Sequence, residues 1–359
     1  MTTENRSSFL RRHGTRLALS VLVAVLFWII LRGGGLPVIP DTDAFRSVRW
    51  WTVPGYAAIL AALTFVRALR TRHLLRPVAR VRLREILAVS FIGFLAIFVL
   101  PFRLGEVVRP ALYHSKGHVP FATATGTIGA ERIIDGLVLM IILAVALPLG
   151  IPLSPLPDHI GKLPIPVVAV PAAAYTSLFV FVGAFLAMAL FYWRRELAWR
   201  LTGRVFGFVS PRLGQFLASQ VEKMSQGFRF LPSPRLFLPY LAETLVYWAL
   251  AALGMWLLAW GCGLHTVSFA QACTFMGVLG VGIIAPGAPG YFGAFQGSLY
   301  AGLALYLAEP TVLGPGAVFV FLLYVCQLSM MAVHAALGAL IDRDLVSSAA
   351  LEAPASDHA

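Results

Sequence analysis

The chain has 359 residues, 59% of them hydrophobic and 12% charged, with a mean hydropathy of +0.81. A water-soluble domain carries about a quarter charged residues, so this composition excludes an ordinary soluble surface and makes lipid the solvent. The net charge of +12 comes from 28 basic and 16 acidic residues. Apolar spans break up the basic groups instead of leaving them along one solvated face, which argues against a nucleic-acid surface.

Crossing the hydrocarbon core takes roughly 20 apolar residues. Runs of that kind lie near 15–32, 50–67, 122–150, 165–192, 237–260 and 316–341. The first has a basic flank, like a signal peptide, but Arg32-Gly33-Gly34-Gly35-Leu36-Pro37 follows it in place of a small-residue cleavage site. It is read as a retained helix.

Two further apolar stretches differ. Residues 85–101 run into Pro101-Phe102-Arg103-Leu104-Gly105-Glu106. Residues 270–285 run into a proline and glycine segment ending at Gly293, before a second apolar piece at 294–308. Positive charge decides how these stretches sit, because basic loops stay cytoplasmic. Four basic residues lie at the N-terminus, seven at 67–84, three at 102–118 and eight at 194–235. A full span at 85–101 would put the last two clusters outside. A re-entrant hairpin over about 85–115 keeps every cluster inside, and leaves 33–49 and 151–164 outside.

The same reasoning makes about 270–308 a hairpin entering from the outside, so two hairpins face each other. The alternative is a pair of kinked spans. The expected fold is therefore all-α: a polytopic integral membrane protein with about six full spans plus two opposed re-entrant hairpins. Residues 1–345 form one transmembrane domain, and 346–359 form a disordered tail. Both termini are expected to be cytoplasmic, in a bacterial inner membrane. Within the cytoplasmic segment 194–235, Leu213, Phe216, Leu217, Val221, Met224 and Phe228 recur at helical spacing, the pattern of an amphipathic surface helix.

Three groups of residues could carry chemistry. Arg103, Glu106 and Arg109 are three apart beside a Pro/Gly break, so a helical turn stacks them on one face. Arginine suits phosphate because its planar fork makes two parallel hydrogen bonds; the triplet also reads as a self-neutralising cluster. Glu131, Arg132 and Asp135 lie inside an apolar span, where each ionised group costs about 2.5–3.5 kcal/mol at the helix centre. If the two acids offset two of Arg103, Arg109 and Arg132, a positive remainder is left for an anionic headgroup; at the interface the cluster would be only structural. The third group is the glycine-rich tip with Gly290, Gly293 and nearby Gln296, which either lines a polar cavity or lets helices pack closely.

His114 and His118 lack a third ligand at usable spacing, so no metal or other cofactor is expected. Cys262, Cys273 and Cys326 read as small core residues. No phosphate loop, nucleophile elbow or CxxC occurs, and no enzymatic activity is expected.

Taken together, Pro101-x-Arg103-x-Gly105-Glu106-x-x-Arg109, Glu131-Arg132-x-x-Asp135-Gly136 and the tip ending at Gly293 resemble the flippase-like proteins of the lysylphosphatidylglycerol synthase transmembrane region. The resemblance implies opposed re-entrant helices and movement of lipids or lipid-linked molecules between leaflets. Family members that carry a soluble aminoacyl-transferase domain also make the aminoacylated lipid. This chain ends soon after its last span, so lysyl transfer is not expected. Gln296 stands where relatives often have glutamate, which removes a carboxylate from the outer hairpin. The expected partners are membrane lipids with an anionic or phosphate-bearing headgroup, and no nucleic acid, with a membrane-protein partner or a second copy also open. The competing expectation is a non-transporting scaffold for a lipid-modifying enzyme.

Overall fold

The computed structural model describes residues 22, 25–26, 28–100, 105–164, 167–194, 196, 200, 204, 211–284, 288–343 and 345. The named elements among them are all helical: α1 (Thr52–Leu69), α2 (Thr71–Leu75), α3 (Leu83–Val99), α4 (Gly105–Ser115), α5 (Phe121–Leu149), α6 (Ala169–Trp193), α7 (Pro211–Gln226), α8 (Pro234–Gly261), α9 (Phe269–Gly282), α10 (Ala294–Ala304), α11 (Glu309–Leu313) and α12 (Pro315–Ile341). Five stretches are long and apolar enough to cross a membrane: Thr52–Leu75, Phe121–Leu149, Ala169–Trp193, Pro234–Gly261 and Glu309–Ile341. They coincide with five of the six expected spans. Much of the sixth, at 15–32, lies outside the described residues, although 28–33 are helical.

The two interrupted stretches form helical hairpins. α3 has 17 residues and α4 only 11, so at 1.5 Å per residue α4 rises about 16 Å, half a hydrocarbon core. Gly105 and Gly93 let these helices touch: a Cβ on Gly105 would run into the backbone of Ala96, and one on Gly93 into the Arg109 side chain. His118 Nε2 lies 3.2 Å from Glu85 Oε2, so the two open ends of this hairpin are side by side. Lys116 Nζ meets Asp342 Oδ1 at 3.0 Å, which puts the end of α12 there too.

The second hairpin is α9 and α10, with 14 and 11 residues. A reciprocal cap opens α9. Gln271 N donates to Ser268 Oγ, and Ser268 N donates to Gln271 Oε1. Gln271 Nε2 donates to Gly150 O at 3.0 Å and Leu153 N to Leu305 O at 2.8 Å. This hairpin therefore opens where α5 ends, whereas the first opens where α5 begins. Their tips meet in aromatic contacts, with the Phe98 and Tyr291 rings 5.7 Å apart.

Around these hairpins, α1 packs on α8, α12 on α3, and α5 on both α6 and α9. α6 buries only Ala174 and Met188, and exposes Phe179, Leu186 and Leu190. In lipid such a face carries no penalty, because the bilayer is as apolar as the side chains. α7 lies across the start of α5, with no space for a Cβ on Gly126 against Met224. Its Ala218 is buried while Arg212, Gln215, Glu222 and Lys223 face outward. The side chains of Leu213, Phe216 and Leu217, which figured in the expected amphipathic pattern, lie outside the described residues.

This arrangement predicts the sidedness of three positions. In a variant lacking the three cysteines, a cysteine at Lys116 or Arg212 should react with an impermeant thiol reagent from one face only. A cysteine at Asp158 should react from the opposite face. Equal labelling of 116 and 158 from the same side would rule out the hairpin arrangement.

Candidate functional site

Glu131 and Asp135 lie four residues apart on α5 and share a face. Counting from Phe121, Glu131 is roughly 15 Å along the helix, deep in the bundle, with 0% exposure. A carboxylate there needs cations and donors to survive desolvation. Arg109 on α4 supplies one set: its Nη1 donates to Glu131 Oε1 and Oε2 at 3.0 and 3.1 Å, and its Nη2 donates to Thr71 Oγ1 at 3.0 Å.

Asp135 is held by a residue that the sequence reading did not bring into the cluster. Arg70, at the junction of α1 and α2, reaches both Asp135 oxygens with its two terminal nitrogens. Its Nη1 also donates to Thr244 Oγ1 on α8 at 2.9 Å, and its Nη2 lies 3.6 Å from Glu131 Oε1. Arg132 closes on Glu131 Oε1 at 2.7 Å. Arg70 and Arg109 are both 0% exposed. Five helices thus converge on one network, in which the carboxylates bridge the guanidinium groups.

Beside the network lies a cavity of about 500 Å³. Its polar wall includes Arg67, Glu106, Arg132 and Asp135; the rest is mostly apolar, with Phe94, Phe98, Leu139, Met276, Phe295 and Met330 among the lining residues. Charged side chains on an otherwise mostly apolar lining match an amphiphile better than a sugar or a free ion. Tyr291 from the second hairpin and Phe98 from the first both line it, so the cavity sits between the two hairpins.

The expected site residues divide in four. Glu106, Arg132 and Asp135 line the cavity. Arg109 and Glu131 are beneath its wall as part of the network, and Arg103 lies outside the described residues. Gly290, Gly293 and Gln296 do not line it. Gly290 and Gly293 have φ of +69° and +88° and shape the tip, while Gln296 Oε1 accepts from Gly293 N at 2.8 Å and caps α10. The tip reaches the cavity through Tyr291 and Phe295 instead. The expected sharing of the two acids among Arg103, Arg109 and Arg132 is likewise corrected, since Asp135 is paired by Arg70.

The missed residues were Arg67, Arg70 and Thr244. A signal existed: Arg67 and Arg70 are three apart where an apolar span ends, so they share a helix face. Glu243, beside Thr244, pairs outside the network with Arg72 Nη2 at 2.6 Å. His114 and His118 go to Val119 O and Glu85, and no cluster of three metal-ligating side chains occurs among the described residues.

Breaking this network should be costly. Glu131→Gln or Asp135→Asn leaves a buried guanidinium without its counter-charge, and each should cost about 3–5 kcal/mol. The unfolding midpoint in detergent should fall clearly. Asp43→Asn, which removes an exposed ion pair with Arg46, should leave that midpoint unchanged. Equal midpoints for all three proteins would show that the network carries no stability.

The family described as Lysylphosphatidylglycerol synthase TM region matches residues 15–330 of the chain. No curated protein and no solved structure gives a significant match. The match spans α1 to α11 and most of α12, and with them every residue of the network and all of the cavity wall except Met331. On that coverage the chain belongs to the Lysylphosphatidylglycerol synthase TM region family, a family of multi-pass membrane proteins related to lipid modification and flipping.

Proposed function

We propose that this protein moves a membrane lipid, or a lipid-linked headgroup, between leaflets. The observation that carries this reading is the cavity between the two hairpins, lined mostly by apolar side chains together with Arg67, Glu106, Arg132 and Asp135. A polar headgroup crossing the hydrocarbon core pays the cost of desolvation, and a path that offers charge to the head while leaving tails in apolar surroundings lowers it. Broken helices at corresponding places in two halves are a recurrent way to build such a path.

In this reading the membrane is a bacterial inner membrane, the first hairpin opens to the cytoplasm and the termini lie on that side. The basic segments at 67–84, 102–118 and 194–235 then all lie toward the anionic inner leaflet, with Arg67, Arg70 and Arg109 turned into the bundle. The protein acts as a carrier, without a covalent step. The competing scaffold reading draws on the self-paired character of Arg70 with Asp135 and Arg109 with Glu131, which needs no ligand to be stable.

Purified protein in liposomes, with a fluorescent phospholipid that an impermeant reductant bleaches only in the outer leaflet, separates the two. A carrier should let bleaching pass well beyond the half of the probe that protein-free vesicles allow. Bleaching that stops at the same level with and without protein would leave the scaffold reading standing.

A further inference from the structure

The four guanidinium groups around the cavity are not equivalent. Arg70 and Arg109 have both terminal nitrogens committed to carboxylates and threonine hydroxyls, are fully buried, and do not line the cavity. Arg132 lines it and spends Nη2 on Glu131. Arg67, one helical turn before Arg70, lines it too, but among the described residues no carboxylate lies within salt-bridge distance of it. Aromatic faces hold it instead: its guanidinium carbon is 4.2 Å from the Phe94 ring centre and 5.6 Å from that of Tyr247. The Nε of all four arginines is buried without a hydrogen bond, so what sets Arg67 apart is the absence of a carboxylate partner.

An arginine stacked on rings keeps its charge and the edge of its fork available. Inside a membrane protein such a cation is expensive unless an anion joins it. Two forks on different helices, Arg67 on α1 and Arg132 on α5, line the cavity beside Glu106 and Asp135; Arg67 is within salt-bridge distance of neither acid, and a phosphate ester presents several acceptors that both forks can share. The mostly apolar lining next to them favours a phosphate that carries hydrocarbon over a free one.

We propose that Arg67, with Arg132, ligates the phosphate oxygens of an anionic amphiphile, and that Arg70 and Arg109 are positioning residues that hold this wall without touching the ligand. The inference rests on the reading of the cavity as a lipid site. It makes Arg67 the specificity-determining cation, and it separates the arginines by a property that folding reports. Removing a paired cation exposes a buried carboxylate, whereas removing an unpaired one relieves a cost.

The test follows unfolding of the full chain in a neutral detergent while dioleoylphosphatidylglycerol, dioleoylphosphatidylcholine or inorganic phosphate is added. Wild type should be stabilised by phosphatidylglycerol, and far less by phosphatidylcholine or phosphate at equal concentration. Arg67→Gln should unfold without lipid at the wild-type temperature or above, and should need at least tenfold more phosphatidylglycerol for the same shift. Arg67→Lys, with charge but no fork, should fall between them. Arg70→Gln should unfold at a lower temperature without any lipid.

The proposal is overturned if Arg67→Gln responds to phosphatidylglycerol as wild type does, or is destabilised as much as Arg70→Gln. It is also overturned if phosphatidylcholine or phosphate alone works equally well. The liposome assay keeps the two levels apart. Wild type and Arg67→Gln exchanging anionic lipid at one rate removes the role of Arg67 and leaves translocation standing. Absence of exchange by wild type, with the phosphatidylglycerol response intact and dependent on Arg67, removes translocation and leaves the site.

Discussion

Two ionised carboxylates on the inner face of a membrane-spanning helix cannot stand alone, and the surrounding helices are arranged to meet them. Glu131 draws Arg109 from the short helix α4 and Arg132 from its own helix; Asp135 draws Arg70 from the junction of α1 and α2, which also ties in α8 through Thr244. The Coulombic gain of such a network roughly offsets the cost of desolvating its members, so its main effect is on arrangement. Few relative placements of five helices satisfy both carboxylates, and each alternative leaves a bare charge in an apolar interior. The same requirement sets the register of the first hairpin, because α4 must bring Arg109 beside α5.

That register in turn depends on close backbone approach. Gly93 leaves room for the Arg109 side chain to pass along α3, and Gly105 lets α4 start against the backbone of Ala96. The second hairpin uses a different device. Gly290 and Gly293 adopt positive φ at its tip, and Gln296 satisfies the backbone N–H of Gly293 where α10 begins. Non-helical backbone at membrane depth is tolerated where protein surrounds it, and here Tyr324, Phe98 and Phe295 close around the tip.

Between the two hairpins the cavity takes its character from this division of labour. The network supplies charge held in place by the terminal nitrogens of Arg70 and Arg109, which are committed to carboxylates and threonine hydroxyls. The aromatic and methionine side chains of α1, α3, α9 and α12 supply an adaptable apolar body, since methionine fills irregular space at little cost. α6 completes the wall with Phe181 while turning most of its surface outward. A pocket with fixed polar groups and compliant apolar walls can orient a headgroup without demanding one tail length.

The sequence by itself determined the class of the protein. Five spans follow from apolar runs of the right length, and the two hairpins from Pro/Gly breaks combined with where positive charge can lie. Glu131 and Asp135 stood out because charge is costly inside an apolar run and four residues make one helical turn. These are local or additive properties, and they survive without knowing which helix touches which. What only the tertiary structure decided is which cation meets which acid. Arg70 is 65 residues from Asp135, and at the end of an apolar span it reads as part of the basic flank that fixes orientation. Packing of α1 on α8 carries Arg67 and Arg70 inward instead. Gln296 shows the converse: a buried polar side chain beside a glycine-rich break looks like a ligand in one dimension, and in three it is a helix cap. Pairing among ionised groups in lipid is a property of the whole bundle, because any cation that can reach a buried carboxylate lowers its energy, and reach is set by the packing of helices distant in sequence.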